Sequence, residues 1–155
     1  MSDWTTIIND ARAVNERSAA LSDAVSATGA AIISAFRAGN KLLSCGNGGS
    51  ASQSGHLVAE LLGRFKSERD PLPAVDLASG GSLLTCLVND YDPADVFARQ
   101  VSGLGAAGDV LVALTTTGNS ENVRRAVVEA DRLGLTTVAL LGKGGGALAG
   151  VADFE

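Results

Sequence analysis

Apolar residues recur every three or four positions over the first forty residues, which predicts helices. One periodic run contains Trp4, Ile7, Ile8, Ala11 and Val14. A second passes through Val25, Ile32, Ile33 and Phe36 and stops at Gly39. This spacing places each run on one helical face. We therefore expect two N-terminal helices over residues 1–40, packed on the following domain or at an oligomer interface.

From Lys41 onward the pattern changes to short apolar runs that are almost continuous in Val, Leu and Ala. The runs are KLLSC, PAVDL, DVLVALT and TTVALL. Strands that are buried on both faces have this pattern, whereas half-exposed strands alternate with polar residues. The pattern predicts a parallel sheet, and the final GVADFE resembles the beginning of one more strand.

Amphipathic segments separate the apolar runs. They cover Ser50–Arg64, Ser82–Asn89, Pro93–Leu104 and Ser120–Leu133. Strands that alternate with helices form right-handed crossovers with helices on both faces of the sheet. We predict an α/β fold, a three-layer αβα sandwich with a parallel sheet, as one domain over residues 41–155.

Composition narrows the function classes. The chain has 155 residues, 46% of them hydrophobic, a net charge of −5, and twelve Lys and Arg spread along its length. This charge distribution lacks the stripe of basic residues that is typical of nucleic-acid-binding proteins. No apolar stretch approaches the roughly 20 residues that span a bilayer, and the N-terminus has no signal pattern. We expect a soluble cytoplasmic protein without nucleic-acid or membrane partners, in which Cys45 and Cys86 are reduced core thiols.

A glycine-rich loop follows the first predicted strand and leads into a helix. Gly46, Gly48 and Gly49 allow a tight turn and let a ligand approach the backbone. Backbone N–H groups at such a helix start bind anions. The loop matches neither the Walker pattern nor the dinucleotide fingerprint, so a simple turn remains the alternative.

A second loop, LTTTGNSENV, also follows a buried strand and opens a helix. It offers four hydroxyl groups, on Thr115, Thr116, Thr117 and Ser120. Hydroxyls and N–H groups form a phosphate cradle that needs no lysine. The alternative is a helix cap by Asn119 or Ser120. Two such loops at the carboxyl ends of strands can converge on one ligand, which indicates a phosphorylated small molecule.

His56 and Glu60 lie four residues apart on the helix that follows the first loop, so they share a face. Such a pair can bind a metal or act as an acid and a base, although a solvated surface pair is the alternative. Zinc prefers four ligands, and the chain has no second histidine. Asp90, Asp92 and Asp95 are further carboxylates, for which a turn around Pro93 is the favoured explanation.

Four segments resemble the sugar isomerase (SIS) domain of the bacterial phosphoheptose isomerases. They are CGNGGSASQSGHLVAELLGRF, VNDYDPADVFARQV, GDVLVALTTTGNSENVRRAV and TTVALLGKGGGALAGVADFE. The resemblance runs from about Lys41 to the last residue. It implies a Rossmann-like, flavodoxin-like SIS fold and a cytoplasmic homotetramer with active sites between subunits. The implied reaction converts sedoheptulose 7-phosphate to D-glycero-D-manno-heptose 7-phosphate through an enediol, for surface-polysaccharide heptose.

The resemblance also implies residue roles. Glu60 matches the catalytic base, and His56 and Glu60 match two ligands of one zinc ion per site. Substrate contacts are implied for Glu60 and for Asn47, Gly48, Gly49, Ser50, Asn89, Asp90, Thr115, Thr116, Thr117 and Ser120. A carboxylate that moves a proton between C1 and C2, with a metal or an acid near the developing oxyanion, suits aldose–ketose exchange.

Two departures from the family accompany this resemblance. The hydroxyl loop reads TTTGNS where the family usually has STSGNS, which keeps every hydroxyl and adds methyl groups. The family continues into a last strand and a long helix, with a Gln and a His that complete the zinc site. If residues 1–155 were the whole protein, we would expect weak zinc binding and poor or absent isomerisation; if they were part of a longer chain, the full enzyme function would stand.

Two other functions remain open. A noncatalytic SIS module, such as the relative that binds the replication initiator protein, has no acid where Glu60 stands. A sugar-phosphate sensor is usually joined to a DNA-binding helix-turn-helix, which the acidic N-terminal helices do not resemble. Glu60 therefore favours the enzyme.

Overall fold

A four-stranded parallel sheet lies at the centre of the computed structural model, which describes residues 3–155. Its strands are β1 (Leu42–Gly46), β2 (Ala74–Asp76), β3 (Val110–Thr115) and β4 (Thr136–Leu141). Their order across the sheet is β2-β1-β3-β4, and every neighbouring pair is parallel. β2 therefore lies on one side of β1, and β3 and β4 lie on the other.

Residues 3–155 contain six α-helices. They are α1 (Trp4–Ser18), α2 (Ser22–Arg37), α3 (Gly49–Leu62), α4 (Gly81–Asp90), α5 (Val96–Leu104) and α6 (Glu121–Arg132). A 3₁₀ turn at Pro93–Asp95 precedes α5; Asp92 caps it and Pro93 occupies its first turn. This is the turn that the sequence predicted around Pro93.

Two apolar cores separate the three layers. Leu43 and Cys45 of β1 face one core with α4, α5 and α6, whereas Leu42 faces the other with α2 and α3. The same alternation holds along β3, where Leu111 and Val112 face opposite cores. Because successive strand residues point to opposite faces, strands that are apolar throughout require helices on both sides. The predicted αβα sandwich is confirmed.

The first helices extend beyond the sandwich. Ile32, Ala35 and Phe36 of α2 pack against the second core, but none of the residues of α1 is buried. Trp4 is 74% exposed, and Ile7, Ile8 and Val14 are also exposed. Both helices form over the stretches that the apolar periodicity predicted, yet the apolar face of α1 has no partner within the described residues.

The prediction for the cysteines is half right. Cys45 is fully buried in β1, and this burial, with the charge of Asp76, raises the pKa of its thiol to about 12. Cys86 was expected in the core but is exposed on α4. On α4 the buried position is Leu87, next to Cys86 in sequence. Neighbouring helical residues point about 100° apart, so an apolar run on a helix cannot bury all its members.

Candidate functional site

The two predicted ligand loops follow β1 and β3, which are neighbours in the sheet. The connection after β1 leads towards β2 on one side, and the connection after β3 leads towards β4 on the other. A crevice opens at such a point of an open parallel sheet, outside the carboxyl ends of the strands. The sheet order therefore places both loops at the position where this class of fold binds ligands.

Close backbone packing shapes the first loop. A Cβ on Gly46 would lie 2.8 Å from the backbone carbon of Ser50. Gly48 has φ = +55° and occupies the cap position of α3, so that no side chain caps this helix. Asn47, Gly48 and Gly49 are exposed and Ser50 is partly buried. The glycines therefore leave the start of α3 open to a ligand.

The second loop brings its hydroxyls together. Thr115 Oγ1 and Ser120 Oγ are 3.2 Å apart, and Thr117 Oγ1 accepts a hydrogen bond from Asn119 N–H at 3.2 Å. Ser120 stands at the cap position of α6, but its side chain makes no capping hydrogen bond. Helix capping therefore does not account for the Ser120 hydroxyl, as an N-cap side chain would accept from the first helical turn.

A direct contact joins the two loops. The side-chain amides of Asn47 and Asn122 exchange two hydrogen bonds, each of 2.9 Å. Asn122 lies in the first turn of α6, and its Oδ1 also accepts from the N–H of Val123 at 3.0 Å. Sequence reasoning missed Asn122; its position two residues after Ser120 was the available signal.

A third segment, missed by sequence reasoning, supports the hydroxyl loop from behind. Residues 142–147 follow β4 and pack on the backbone of residues 116–119. A Cβ on Gly146 would overlap the carbonyl oxygen of Thr117, and Asn119 Oδ1 accepts from Ala147 N–H at 2.9 Å. Three consecutive glycines after a strand were the signal for such a close approach.

His56 and Glu60 are adjacent on α3, with Nε2 of the imidazole 3.1 Å from Oε1 of the carboxylate. They line a cleft of about 420 Å³ together with Gln53, Leu57, Leu61, Phe65 and Arg69. None of the loop residues lines this cleft. At 1.5 Å per residue, His56 and Glu60 lie roughly 9 and 15 Å along the helix axis from Ser50. The glycine loop lies at the start of α3 and the His–Glu pair lies towards its end. The pair and the two loops therefore do not share one compact pocket.

Asn89 and Asp90 end α4 and are both exposed. Asn89 Nδ2 donates to Asp90 Oδ1 at 2.7 Å, and the thiol of Cys86 lies 3.4 Å from Asp90 Oδ2. That hydrogen bond and the charge of Asp90 raise the pKa of the Cys86 thiol. Asp90 therefore contacts Cys86 and Asn89 on its own helix.

The carboxylates of Asp92 and Asp95 connect the turn before α5 to α6. Arg125 of α6 donates to Asp92 Oδ2 at 2.9 Å, to Asp95 Oδ1 at 2.8 Å and to Glu121 Oε1 at 2.9 Å. The hydrogen bonds from Arg124 and then Arg125 lower the pKa of Glu121 to about 2. No group of three His, Cys, Asp or Glu side chains within residues 3–155 has the arrangement of a metal site. Asp92 and Asp95 thus have the structural role that the sequence favoured.

Comparisons with known proteins agree on one family. The sequence model of the SIS domain family matches residues 8–142 of this chain. A phosphoheptose isomerase of Geobacter sp. (strain M21) is 50% identical over 134 residues, which cover 86% of this chain and 70% of the relative. One of Pelobacter propionicus is 47% identical over 155 residues, covering 99% of this chain and 82% of the relative.

Solved structures have the same architecture. A phosphoheptose isomerase from Neisseria gonorrhoeae superposes with a TM-score of 0.88 at 36% sequence identity, covering 96% of this chain and 78% of that structure. One from Francisella tularensis gives a TM-score of 0.88 at 34% identity, covering 99% and 82%. These similarities extend over the sheet, both predicted ligand loops and the N-terminal helices.

Proposed function

The chain belongs to the phosphoheptose isomerase family of SIS-domain proteins, and we propose from this premise that it interconverts sedoheptulose 7-phosphate and D-glycero-D-manno-heptose 7-phosphate. The observation that carries the proposal is the meeting of two polar loops at the carboxyl ends of β1 and β3. An intramolecular aldose–ketose isomerase of this kind supplies heptose for surface polysaccharides.

The hydroxyl loop is the proposed phosphate site. Thr115, Thr116, Thr117 and Ser120 surround the start of α6, where the helix dipole favours an anion. Hydroxyls can donate to phosphate oxygens without adding charge, which suits a loop that contains no lysine. Asn47, Gly48, Gly49 and Ser50 on one side, and Asn89 and Asp90 on the other, are the proposed contacts of the sugar.

Glu60 is the proposed base. Its carboxylate is about one-third exposed and hydrogen-bonds His56. Because Glu60 lies roughly 15 Å along α3 from the loops of its own chain, we propose that it meets the sugar in an active site between subunits. The carboxylate takes a proton from C1, next to the carbonyl, and returns it to C2 of the enediol. The oxygen on C2 gains a proton and the hydroxyl on C1 loses one, so that the ketone becomes an aldehyde. His56 holds the carboxylate in position during both transfers.

Zinc is the proposed metal, and the described residues supply half of a site. His56 offers an imidazole nitrogen and Glu60 a carboxylate oxygen, both of which are donors that zinc accepts. A tetrahedral site needs two further ligands, which no other described His, Cys, Asp or Glu adds. When bound, zinc would stabilise negative charge on a substrate oxygen.

The N-terminal helices are the proposed contact between subunits of a homotetramer. The stretch Trp4–Arg37 is long and apolar enough to cross a membrane by length and composition. However, α1 carries charged side chains (Asp10, Arg12, Glu16 and Arg17) that are costly in a bilayer. A protein interface accommodates the apolar face and leaves these charges in water. We therefore favour assembly in the cytoplasm over membrane insertion.

Turnover of the purified chain tests this function. Sedoheptulose 7-phosphate and zinc are added, and the appearance of the aldose is followed by NMR, for the wild type and for Glu60→Gln. We expect turnover in the wild type, slow if residues 1–155 act alone with half of a zinc site, and its loss in Glu60→Gln, because the amide cannot accept the proton. Glu68→Gln is the matched control, since Glu68 is highly exposed and forms an ion pair with Arg64 on the surface.

The outcomes separate the candidate functions. Wild-type turnover that survives Glu60→Gln would reject Glu60 as the base. Binding of the sugar phosphate without turnover, with zinc present, would favour the noncatalytic SIS module. Light scattering of the same sample measures the oligomeric state. Co-flotation with anionic vesicles would instead support membrane binding by the N-terminal helices.

A further inference from the structure

Asn47 and Asn122 form a closed pair of amides between the two ligand loops. Nδ2 of each side chain donates to Oδ1 of the other at 2.9 Å. The residues are 75 positions apart in sequence, so the pair exists only because β1 and β3 are neighbours. It directly ties the glycine loop to the first turn of α6.

The backbone of α6 determines which way this pair faces. The N–H of Val123 donates to Asn122 Oδ1 at 3.0 Å. An amide turned by 180° would place its NH₂ group against that N–H, so the oxygen of Asn122 is fixed there. The NH₂ group of Asn122 then faces the oxygen of Asn47, and this fixes the Asn47 amide in turn.

Asn47 keeps part of its hydrogen-bonding capacity for a ligand. A side-chain amide has two N–H donors and two acceptor lone pairs. Asn122 uses one of each, so one donor and one acceptor remain. The pair fixes the directions of this donor and this acceptor. Asn47 therefore loses less conformational entropy when a ligand binds than a freely rotating asparagine would.

We infer that Asn122 is a positioning residue, which orients the amide of Asn47 for the hydroxyl groups of the sugar. The inference rests on the proposed function, because it assigns Asn47 to the sugar and the hydroxyl loop to the phosphate. Asn122 acts through Asn47 and needs no contact with the substrate. It makes the geometry of the sugar contact depend on the helix that starts at the phosphate loop.

A double-mutant cycle tests this inference. Dissociation constants for sedoheptulose 7-phosphate and for inorganic phosphate are measured by calorimetry for the wild type, Asn47→Ala, Asn122→Ala and the double variant. We expect each single substitution to weaken sugar-phosphate binding by about three- to tenfold, as for one or two neutral hydrogen bonds. The double variant should bind like Asn47→Ala, because Asn122 has no role once Asn47 is absent.

Inorganic phosphate separates positioning from support of the fold. It occupies only the proposed phosphate site, so its affinity should stay within about twofold in all four proteins. If Asn122 merely held the start of α6 in shape, Asn122→Ala would weaken inorganic phosphate as well. That result, or equal effects of Asn122→Ala with and without Asn47, would overturn the inference.

Two further arms keep the test decisive. Asn122→Asp retains the acceptor for Val123 N–H and therefore the start of α6, but it cannot donate to Asn47; its added charge cancels when the cycle is repeated with this variant. If wild-type protein neither binds nor converts sedoheptulose 7-phosphate, the proposed function fails. If the wild type binds and the cycle is additive, only the inference fails.

Discussion

Gly118 lies against the carbonyl oxygen of Gly145, with no room between the two residues for a Cβ atom. Gly118 belongs to the hydroxyl loop and Gly145 to the segment after β4. A left-handed backbone, with φ = +66° at Gly118, accompanies this contact. The shape of the proposed phosphate site therefore depends on a neighbouring loop that contacts no proposed ligand.

Gly118→Ala should distort the hydroxyl loop. The methyl group would overlap Gly145 and would also strain a left-handed residue. We expect a loss of unfolding free energy of about 1–3 kcal/mol beyond the control variant, from urea titration, and weaker binding of inorganic phosphate. Gly144→Ala is the control, because Gly144 has φ = +78° but open space around its Cβ position.

Gly144→Ala should therefore cost only the left-handed strain, about 1 kcal/mol. Equal losses in the two variants would show that the contact with Gly145 has no energetic consequence.

Arg125→Ala should release the turn at Asp92–Asp95 from α6. Three carboxylates accept hydrogen bonds from this one guanidinium, and two of them lie in the turn that follows Asn89 and Asp90. We expect faster amide hydrogen exchange at residues 89–95, measured by mass spectrometry. Arg132→Ala is the matched control, since Arg132 pairs with Glu129 at the far end of α6.

Unchanged exchange at residues 89–95 in Arg125→Ala would contradict a role of Arg125 in holding the turn. Exchange that rises equally in Arg132→Ala would instead indicate a general loosening of α6.

Asp109→Asn should destabilise the start of β3. The buried carboxylate accepts from the backbone N–H groups of Lys41 at 3.0 Å and Ala106 at 2.8 Å, and pairs with the Lys41 ammonium. Burial by itself raises the pKa of Asp109, but these hydrogen bonds and the Lys41 charge outweigh it and hold the pKa below the usual 3.8. We expect a loss of roughly 2 kcal/mol at pH 7.

The pH dependence follows from the sign of this shift. Because the folded pKa lies below the unfolded one, the stabilisation is complete above about pH 4 and is lost as the pH falls through the folded value. The difference between wild type and Asp109→Asn should therefore shrink below pH 4 in urea titrations. A difference that stays constant down to pH 2 would assign the effect to packing.

The two cysteines should differ in reactivity. Cys45 is fully buried with a pKa of about 12, whereas Cys86 is exposed beside Asp90. A thiol reagent should modify one cysteine per native chain and two in denaturant, since the thiolate is the reactive form. Asp90→Asn should speed the modification of Cys86 at pH 7, because the carboxylate raises the pKa of that thiol.

Cys86→Ser is the control and should leave no thiol that reacts in the native state. Rapid modification of Cys45 in that variant would contradict its burial.

The hydrophobic pattern predicted every strand and helix of the sandwich, because helical spacing and continuous apolar runs are local properties of the chain. The runs at β1 and β3 are apolar throughout, which only a sheet covered on both faces accommodates. The exposure of Cys86 was missed because an apolar run on a short helix does not reveal which side faces the core.

The sequence by itself determined the layers, the two polar loops at strand ends and the pairing of His56 with Glu60, since each depends on neighbours within a few residues. The tertiary structure decided the strand order, which brings Asn47 to Asn122 and Gly118 to Gly145 across long sequence separations. It also decided that His56 and Glu60 open onto a cleft of their own on α3. Such relationships depend on how strands are ordered and how closely backbones pack, and no local period along the chain encodes either.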